Sequence, residues 1–358
     1  MAKRPRFPAY LFLTLMMSLL MLPFAGCTQK QSEERLQGAG ATFPNPLYQK
    51  WFSEYNTANP DTKFDYQSIG SGGGIKQISS KTVDFAGSDA PMNDDQIKAA
   101  PAELLHIPTV MGADVVTYNV PGLETTTLKL SGDTVADVFL GKIKKWSDPA
   151  LAKDNPNVKF PDSDISVVHR SDGSGTTYIF TDYLSKISSE WQTKVGKGTS
   201  PNWPVGIGAK GNEGVTGQVK QTPNSIGYVE LIYAIQNKLP YADLKDADGE
   251  FVHPSLETVS NAAAGAAANM PPDLRVSITN APGKDAYPIS SFTYFLVYKD
   301  QLDQAKGEAL VKFLWWAVHD GEKMAPDLVY APLPAQVVQK DEEKIKAIMC
   351  NGKPLYTS

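Results

Sequence analysis

Two long apolar runs, Val110 to Val120 and Ile289 to Tyr298, constrain this fold more than any other feature of the chain. Each is long enough to be a strand that runs from one domain into another. Around them the chain alternates apolar stretch, Gly-rich turn and amphipathic stretch. Leu36 to Ala41, Lys63 to Ile69 and Val83 to Gly87 read as strands. Pro46 to Ala58 reads as a helix with Leu47, Trp51, Phe52 and Tyr55 on one face. A second helix follows Ser71-Gly72-Gly73-Gly74 through Ile75 and Ile78, and a third covers Asp94 to Ala100. Between the long runs lies another alternating set: helix Asp133 to Leu140, strand Ile165 to His169, helix Gly175 to Ile187, strand Ser225 to Glu230 and helix Leu231 to Asn237. Ala262 to Ala268 is Ala-rich and helical. After Tyr298 mostly helix is expected, with Ala309, Phe313, Leu314, Trp316 and Ala317 at core spacing.

Repeated strand–turn–helix units predict an α/β fold. Two such sets joined by two long strands predict two lobes with a cleft between them. Lobe I would be discontinuous, residues 36–115 and 288–358, and lobe II would cover 116–287. The 358 residues are enough for two sizeable cores.

The start of the chain stands apart. Lys3, Arg4 and Arg6 are followed by an apolar run, Ala9 to Leu22, broken only by Thr14 and Ser18, and then by Pro23-Phe24-Ala25-Gly26-Cys27. A basic start, a short apolar run and small residues describe an export signal over 1–27. The run is too short for a comfortable membrane span. Small residues before a Cys resemble a bacterial lipobox, which implies lipidation of Cys27 and attachment to a membrane through that anchor. Phe24 stands where Leu is usual, and an ordinary cleaved secretory peptide is the other reading. The polar segment 28–35 reads as a tether.

Removing residues 1–27 takes away three positive charges and no acid, so the net charge moves from −5 to −8. An acidic chain is a poor binder of nucleic acid. It also cannot draw in an anion by its overall field, so any anion specificity has to come from local geometry. Cys27 and Cys350 are the only cysteines, and the four histidines are scattered. Neither a disulfide framework nor a zinc site is expected, and no cofactor is implied.

Four turns place small or hydroxyl residues where a strand meets a helix. They are Gly38-Ala39-Gly40-Ala41-Thr42-Phe43, Ile69-Gly70-Ser71-Gly72-Gly73-Gly74, Gly87-Ser88-Asp89-Ala90 and Arg170-Ser171-Asp172-Gly173-Ser174-Gly175-Thr176. A helix start has free N–H groups and partial positive charge, which suits an anion. Gly lets backbone approach closely, and Ser or Thr adds a donor. Ser71 and Thr42 could also be plain N-caps, and Asp89 a turn-capping residue. Four such turns spread over both expected lobes favour an anion site.

These motifs, with Thr82-Val83-Asp84-Phe85, Gly141-Lys142-Ile143-Lys144-Lys145-Trp146 and Ile226-Gly227-Tyr228-Val229-Glu230, resemble the periplasmic phosphate-binding proteins of high-affinity phosphate ABC transporters. The likeness covers about Leu36 to Tyr356. It implies a two-lobed type II periplasmic-binding-protein fold, inorganic phosphate as ligand, and the permease and ATPase subunits of a phosphate importer as partners. It also implies roles for residues. Thr42 and Phe43, with Ala41 in the same turn, would donate to phosphate. Ser71 would donate through side chain and backbone. Asp89 would accept from a protonated phosphate oxygen. Arg170 would bind as a cation paired with Asp172, while Ser174, Gly175 and Thr176 would supply donors from lobe II. Two positions depart from the pattern: Gly72 stands where a second Ser is common, and His169 where a second basic residue is common.

A carboxylate beside a bound anion makes sense if the anion brings a proton. Phosphate at neutral pH keeps a P–OH that can donate to Asp89, whereas sulfate has none, so Asp89 is expected to exclude sulfate. Gly206-Ile207-Gly208-Ala209-Lys210-Gly211 matches G-x-G-x-x-G. Pro201 and Pro204 precede it rather than a clear apolar strand, so a dinucleotide site is not expected. No Gly-x-Ser-x-Gly elbow surrounds Ser71 or Ser174, which speaks for a binding protein over a secreted hydrolase. His169, Trp315 and Trp316 read as packing residues, and Lys142, Lys144 and Lys145 as a solvated face.

Overall fold

The computed structural model describes Met1, residues 33–267 and residues 270–356. Apart from Met1, the expected export signal with Cys27 lies outside the described residues, as does residues 28–32 of the tether. Among the described residues no helix is long and apolar enough to cross a membrane. The strands up to residue 298 are β1 (Glu34–Gly40), β2 (Thr62–Ser68), β3 (Phe85–Ser88), β4 (Leu104–Asn119), β5 (Lys129–Leu130), β6 (Ser166–Arg170), β7 (Ile207–Ala209), β8 (Ser225–Glu230), β9 (Asp243–Lys245), β10 (Phe251–Val252) and β11 (Ser290–Tyr298). The longer helices used below are α1 (Asn45–Ala58), α2 (Ser71–Ser79), α3 (Gly175–Ile187), α4 (Gly211–Gln221) and α5 (Gln304–Ala317).

Eight strands form one mixed sheet in the order β2-β1-β3-β11-β4-β8-β6-β7. β1 runs parallel to β2 and β3, and β6 runs parallel to β7 and β8. Between these parallel sets lie the two long strands, antiparallel to each other and to their neighbours. β4 joins the halves. Its residues from Leu104 to Ala113 pair with β11, and those from Asp114 to Asn119 pair with β8. It is buried from Leu104 to Tyr118, and a strand covered on both faces reads as a near-continuous apolar run. That is why the sequence displays it.

β4 begins six residues before the expected Val110. The early part contains Pro108, which cannot donate to a ladder and is tolerated at bulges. The pairing with β11 is irregular at this point, where Tyr294 faces Pro108 and Thr293 faces Val110. Thr109 is the extra residue. Its hydroxyl donates to the Thr293 carbonyl (3.2 Å) and bonds the Tyr48 hydroxyl (2.9 Å).

α1 buries Leu47, Tyr48, Trp51, Phe52 and Tyr55, the face its spacing predicts. Tyr48 stacks on Phe295 of β11, and Tyr55 meets Phe313 and Trp316 of α5 edge-on. His169 stacks on Trp203 with ring centroids 4.8 Å apart. Lys142 and Lys145 pair with exposed or half-exposed acids at the surface. Other boundaries also differ from expectation, most by one or two residues. β1 starts at Glu34, inside the polar segment, where Arg35 pairs with Asp65 and Glu33. The Ala-rich helix starts earlier than expected and is described over Leu256–Ala267, while Ala268 of the expected span lies outside the described residues. The strand β7 and helix α4 around the G-x-G-x-x-G stretch were not legible, because β7 is a three-residue edge strand whose Ile207 is exposed.

Candidate functional site

The carboxyl ends of the parallel strands converge, which is where ligands sit in open α/β sheets. β1, β2 and β3 end at Gly40, Ser68 and Ser88, just before Ala41-Thr42-Phe43, Ser71 and Asp89. β6 and β7 end at Arg170 and Ala209, just before the Asp172–Thr176 turn and α4. The two groups of turns touch. The Gly72 N–H donates to the Gly173 carbonyl (2.8 Å). Asn212, near the start of α4, donates to Thr42 Oγ1 from its backbone N–H (3.2 Å) and from Nδ2 (3.0 Å).

Each residue expected to contact the anion lies in this region and is buried, and the supporting Asp172 is half-buried beside Arg170. The Ala41 N–H donates to the Gly87 carbonyl, and the Tyr66 hydroxyl donates to the Ala41 carbonyl. Tyr233 and Tyr330 hydroxyls donate to the carbonyls of Thr42 (2.5 Å) and Phe43 (2.6 Å), fixing that turn from behind. Ser71 is the first residue inside α2 rather than its cap; the cap is Gly70 at φ +87°. A side chain at 70 would stand 2.3 Å from Asp172 Oδ2, so only Gly fits that approach. Ser71 Oγ receives the Asp89 N–H (3.1 Å) and lies 3.4 Å from Asp89 Oδ2. Gly72 is also accounted for: a Cβ there would lie 3.0 Å from Gly173 Cα, in the seam between the two turns.

Asp89 is 1% exposed. Thr293 of β11 donates to its Oδ1 at 2.7 Å. Burial pushes the carboxyl up to about 7, against the opposing pull of Thr293, Arg170 and Ser71. Arg170 is 3% exposed. Its Nε and Nη2 form a fork on the Asp172 carboxylate (2.9 and 2.6 Å), and Nη1 reaches Thr176 Oγ1 (3.3 Å). Burial works against the Arg170 charge, but the Asp172 fork outweighs it and holds the guanidinium above its ordinary value. Asp172 is likewise held below the usual carboxylate range by Arg170 and by the Gly211 N–H, against its own burial. Ser174 caps α3 by accepting from the Thr177 N–H (2.9 Å).

Gly175 is the closest point of approach. A Cβ there would stand 2.3 Å from Ser71 Oγ and 2.4 Å from Asp89 Oδ2. Gly175→Ala is therefore expected to hold the two groups of turns apart. Overpacking of this kind costs about 1–3 kcal/mol, so anion affinity should fall roughly tenfold to a hundredfold, with the far-ultraviolet circular dichroism unchanged. Unaltered affinity in calorimetry would refute the close approach.

Sequence reasoning missed four side chains here. Asn212 joins the groups by donating to both Thr42 and Thr176 (3.1 Å to Thr176 Oγ1). Its signal was the last glycine of the G-x-G-x-x-G stretch opening a helix. Thr293 was visible as a hydroxyl inside an apolar run. Tyr233 and Tyr330 left no signal, since tyrosines in helices and loops are common core residues.

The turns offer neutral donors, one restrained cation, Arg170, and one buried carboxyl, Asp89. Residues 27–320 match a family model described as a PBP superfamily domain. Phosphate-binding protein PstS of Xylella fastidiosa (strain 9a5c) is 46% identical over 308 residues, 86% of this chain and 84% of that one. Phosphate-binding protein PstS of Pasteurella multocida (strain Pm70) is 44% identical over 344 residues, 96% of this chain and 98% of that one. Among solved structures, a phosphate-binding protein from Stenotrophomonas maltophilia superposes with a TM-score of 0.67 at 20% identity, over 89% of this chain and 99% of that one. That level of identity speaks to the two-lobed fold alone. With its sheet, its convergent turns and these relatives, the chain belongs to the PstS family of phosphate-binding proteins within the PBP superfamily.

Proposed function

We propose that this chain captures inorganic phosphate outside the cytoplasmic membrane and delivers it to the permease and ATPase subunits of an ABC importer. The observation that carries the reading is Asp89, a buried carboxyl packed against the neutral turn of Ser174, Gly175 and Thr176, with Arg170 already paired to Asp172. Such a site suits an anion that brings its own proton. Thr42, Phe43, Ser71, Arg170, Ser174, Gly175 and Thr176 are the donors in this reading, with Ala41 lining the same turn as Thr42 and Phe43, Asp89 the acceptor and Asp172 the supporting ion pair. The names of the relatives support phosphate as the ligand. Residues 36–115 with 288–358 form one lobe and 116–287 the other, closing on the ligand by a hinge at the long strands. Export through segment 1–27, a periplasmic or cell-surface location and lipidation at Cys27 complete the proposal.

Calorimetry of the purified protein with phosphate, arsenate and sulfate tests it. Phosphate should bind tightly, arsenate should compete because it also keeps a proton, and sulfate should not. Equal binding of sulfate and phosphate would refute the reading, and turnover of phosphate esters would favour an enzyme instead.

A further inference from the structure

The long strand β4 carries one acid, Asp114, inside an otherwise apolar run. It lies where β4 leaves β11 and begins to pair with β8, directly opposite Glu230. Side chains opposite each other on antiparallel strands share a face. That face holds the site. Gly112, two residues away, lies under Phe43, and a Cβ on Gly112 would be 2.6 Å from the Phe43 ring and 3.4 Å from Glu230 Oε1. On β11 the same face presents Thr293, which donates to Asp89. Asp114 is therefore part of the floor beneath the convergent turns.

Asp114 is fully buried, and neither of its carboxyl oxygens has a hydrogen-bond partner among the described residues. Its backbone is satisfied: the N–H donates to the Ile289 carbonyl (2.9 Å), and the Tyr287 hydroxyl donates to its carbonyl (3.1 Å). The titratable and charged groups near enough to act on the side chain electrostatically are Asp89, Glu230, Arg170, Tyr228 and Tyr287. The only cation among them, Arg170, is already committed to Asp172. Glu230 accepts from the Ile232 N–H and from Tyr330 through Oε2, and its Oε1 has no partner among the described residues.

We propose that Asp114 is a positioning residue of the anion site: it keeps the floor neutral by holding its proton, and its ionisation expels the anion. A fully buried carboxylate with no donor and two neighbouring acids is too costly to persist when a proton can be taken up instead. Burial, with Asp89 and Glu230 adding to it and Arg170 opposing, holds the Asp114 carboxyl well above the usual carboxylate range. With the proton on, the floor adds no charge beneath the site. With the proton off, a fixed negative charge repels an incoming phosphate. Asp114 thereby sets an upper pH limit on capture. The idea rests on the phosphate reading given above.

The test is phosphate affinity by calorimetry for wild type and Asp114→Asn from about pH 6 to about pH 10. Phosphate's own ionisation is common to both proteins, so the ratio of the two affinities reports the charge at residue 114 together with its influence on Asp89 and Glu230. The variant's affinity relative to wild type should rise at least about tenfold across that range. Asp114→Val, which also removes the charge and suits a strand, should show the same rise and guards against misfolding of the amide variant. A ratio that stays flat with pH, even if displaced from one, marks a purely structural role and overturns the proposal. Failure of wild type to bind phosphate at any pH overturns the phosphate reading itself, a distinct outcome.

Discussion

Asp89→Asn is expected to abolish most of the discrimination between phosphate and sulfate. A site that accepts a ligand's proton can reject an analogue lacking it by roughly 10⁴–10⁵. The geometry says which oxygen does this. Oδ1 is taken by the Thr293 hydroxyl at 2.7 Å, whereas among the described residues Oδ2 has only the Ser71 hydroxyl at 3.4 Å and faces Gly175 across the seam. Oδ2 is the acceptor with capacity to spare. An asparagine amide in that place can donate to either anion. Because burial raises the Asp89 carboxyl to about 7, wild-type rejection should also depend on pH. As pH falls through about 7, Asp89 gains a proton, can donate to sulfate, and sulfate affinity should rise. In the variant that dependence should vanish. Sulfate rejection that persists undiminished in Asp89→Asn would sink the assignment.

The same burial has a stability consequence of definite sign. The folded-state pKa lies above the ordinary value of 3.8, so folding takes up a proton. The contribution is fully present below about pH 4 and is lost as pH rises to about 7. A shift of this size corresponds to at most about 4 kcal/mol. Asp89→Asn should therefore raise the melting temperature of the ligand-free protein at pH 8 and change it far less at pH 4.

Much of this fold is legible because its elements obey one rule at a time. β4 and β11 are covered on both faces, so their apolar runs stand out. α1 buries one face only, and its 3.6-residue spacing is plain. β7 is the opposite case. It has three residues at a sheet edge with an exposed Ile207, and no pattern fits in so short a stretch. The candidate site residues on turns were legible because strand-to-helix turns of Gly, Ser and Thr recur four times, although one such turn alone is an ordinary helix cap. Thr293 and Asp114, which reach the site from the interiors of long strands, were not. Asp114 was read as part of an apolar strand, since one acid in a run of eleven residues does not break the run. Only its position opposite Glu230 gives it meaning, and that pairing joins residues 116 positions apart. Thr293 meets Asp89 across 204 positions for the same reason.

Removing Arg170 should produce the second large effect, and a double variant can separate its two parts. The guanidinium has five N–H donors. The Asp172 carboxylate takes one from Nε and one from Nη2, and Thr176 takes one from Nη1. One donor remains on each Nη, and these are the ones free for an anion. Hydrogen bonds to a charged partner are worth about 1.5–3 kcal/mol each, so Arg170→Met should weaken phosphate binding by roughly 10²–10⁴. It should also destabilise the ligand-free fold. Asp172 would keep the Gly211 N–H but lose its cation, and breaking a buried pair typically costs about 3–5 kcal/mol. Arg170→Met combined with Asp172→Asn removes both charges together. The pair should recover most of the lost melting temperature and none of the lost affinity, because the anion's donors are still gone. Arg170→Lys keeps the charge but not the fork and should fall between wild type and Arg170→Met in both measurements. If the double variant recovered phosphate affinity along with stability, Arg170 would be acting only through Asp172, and recognition would rest on the neutral donors alone.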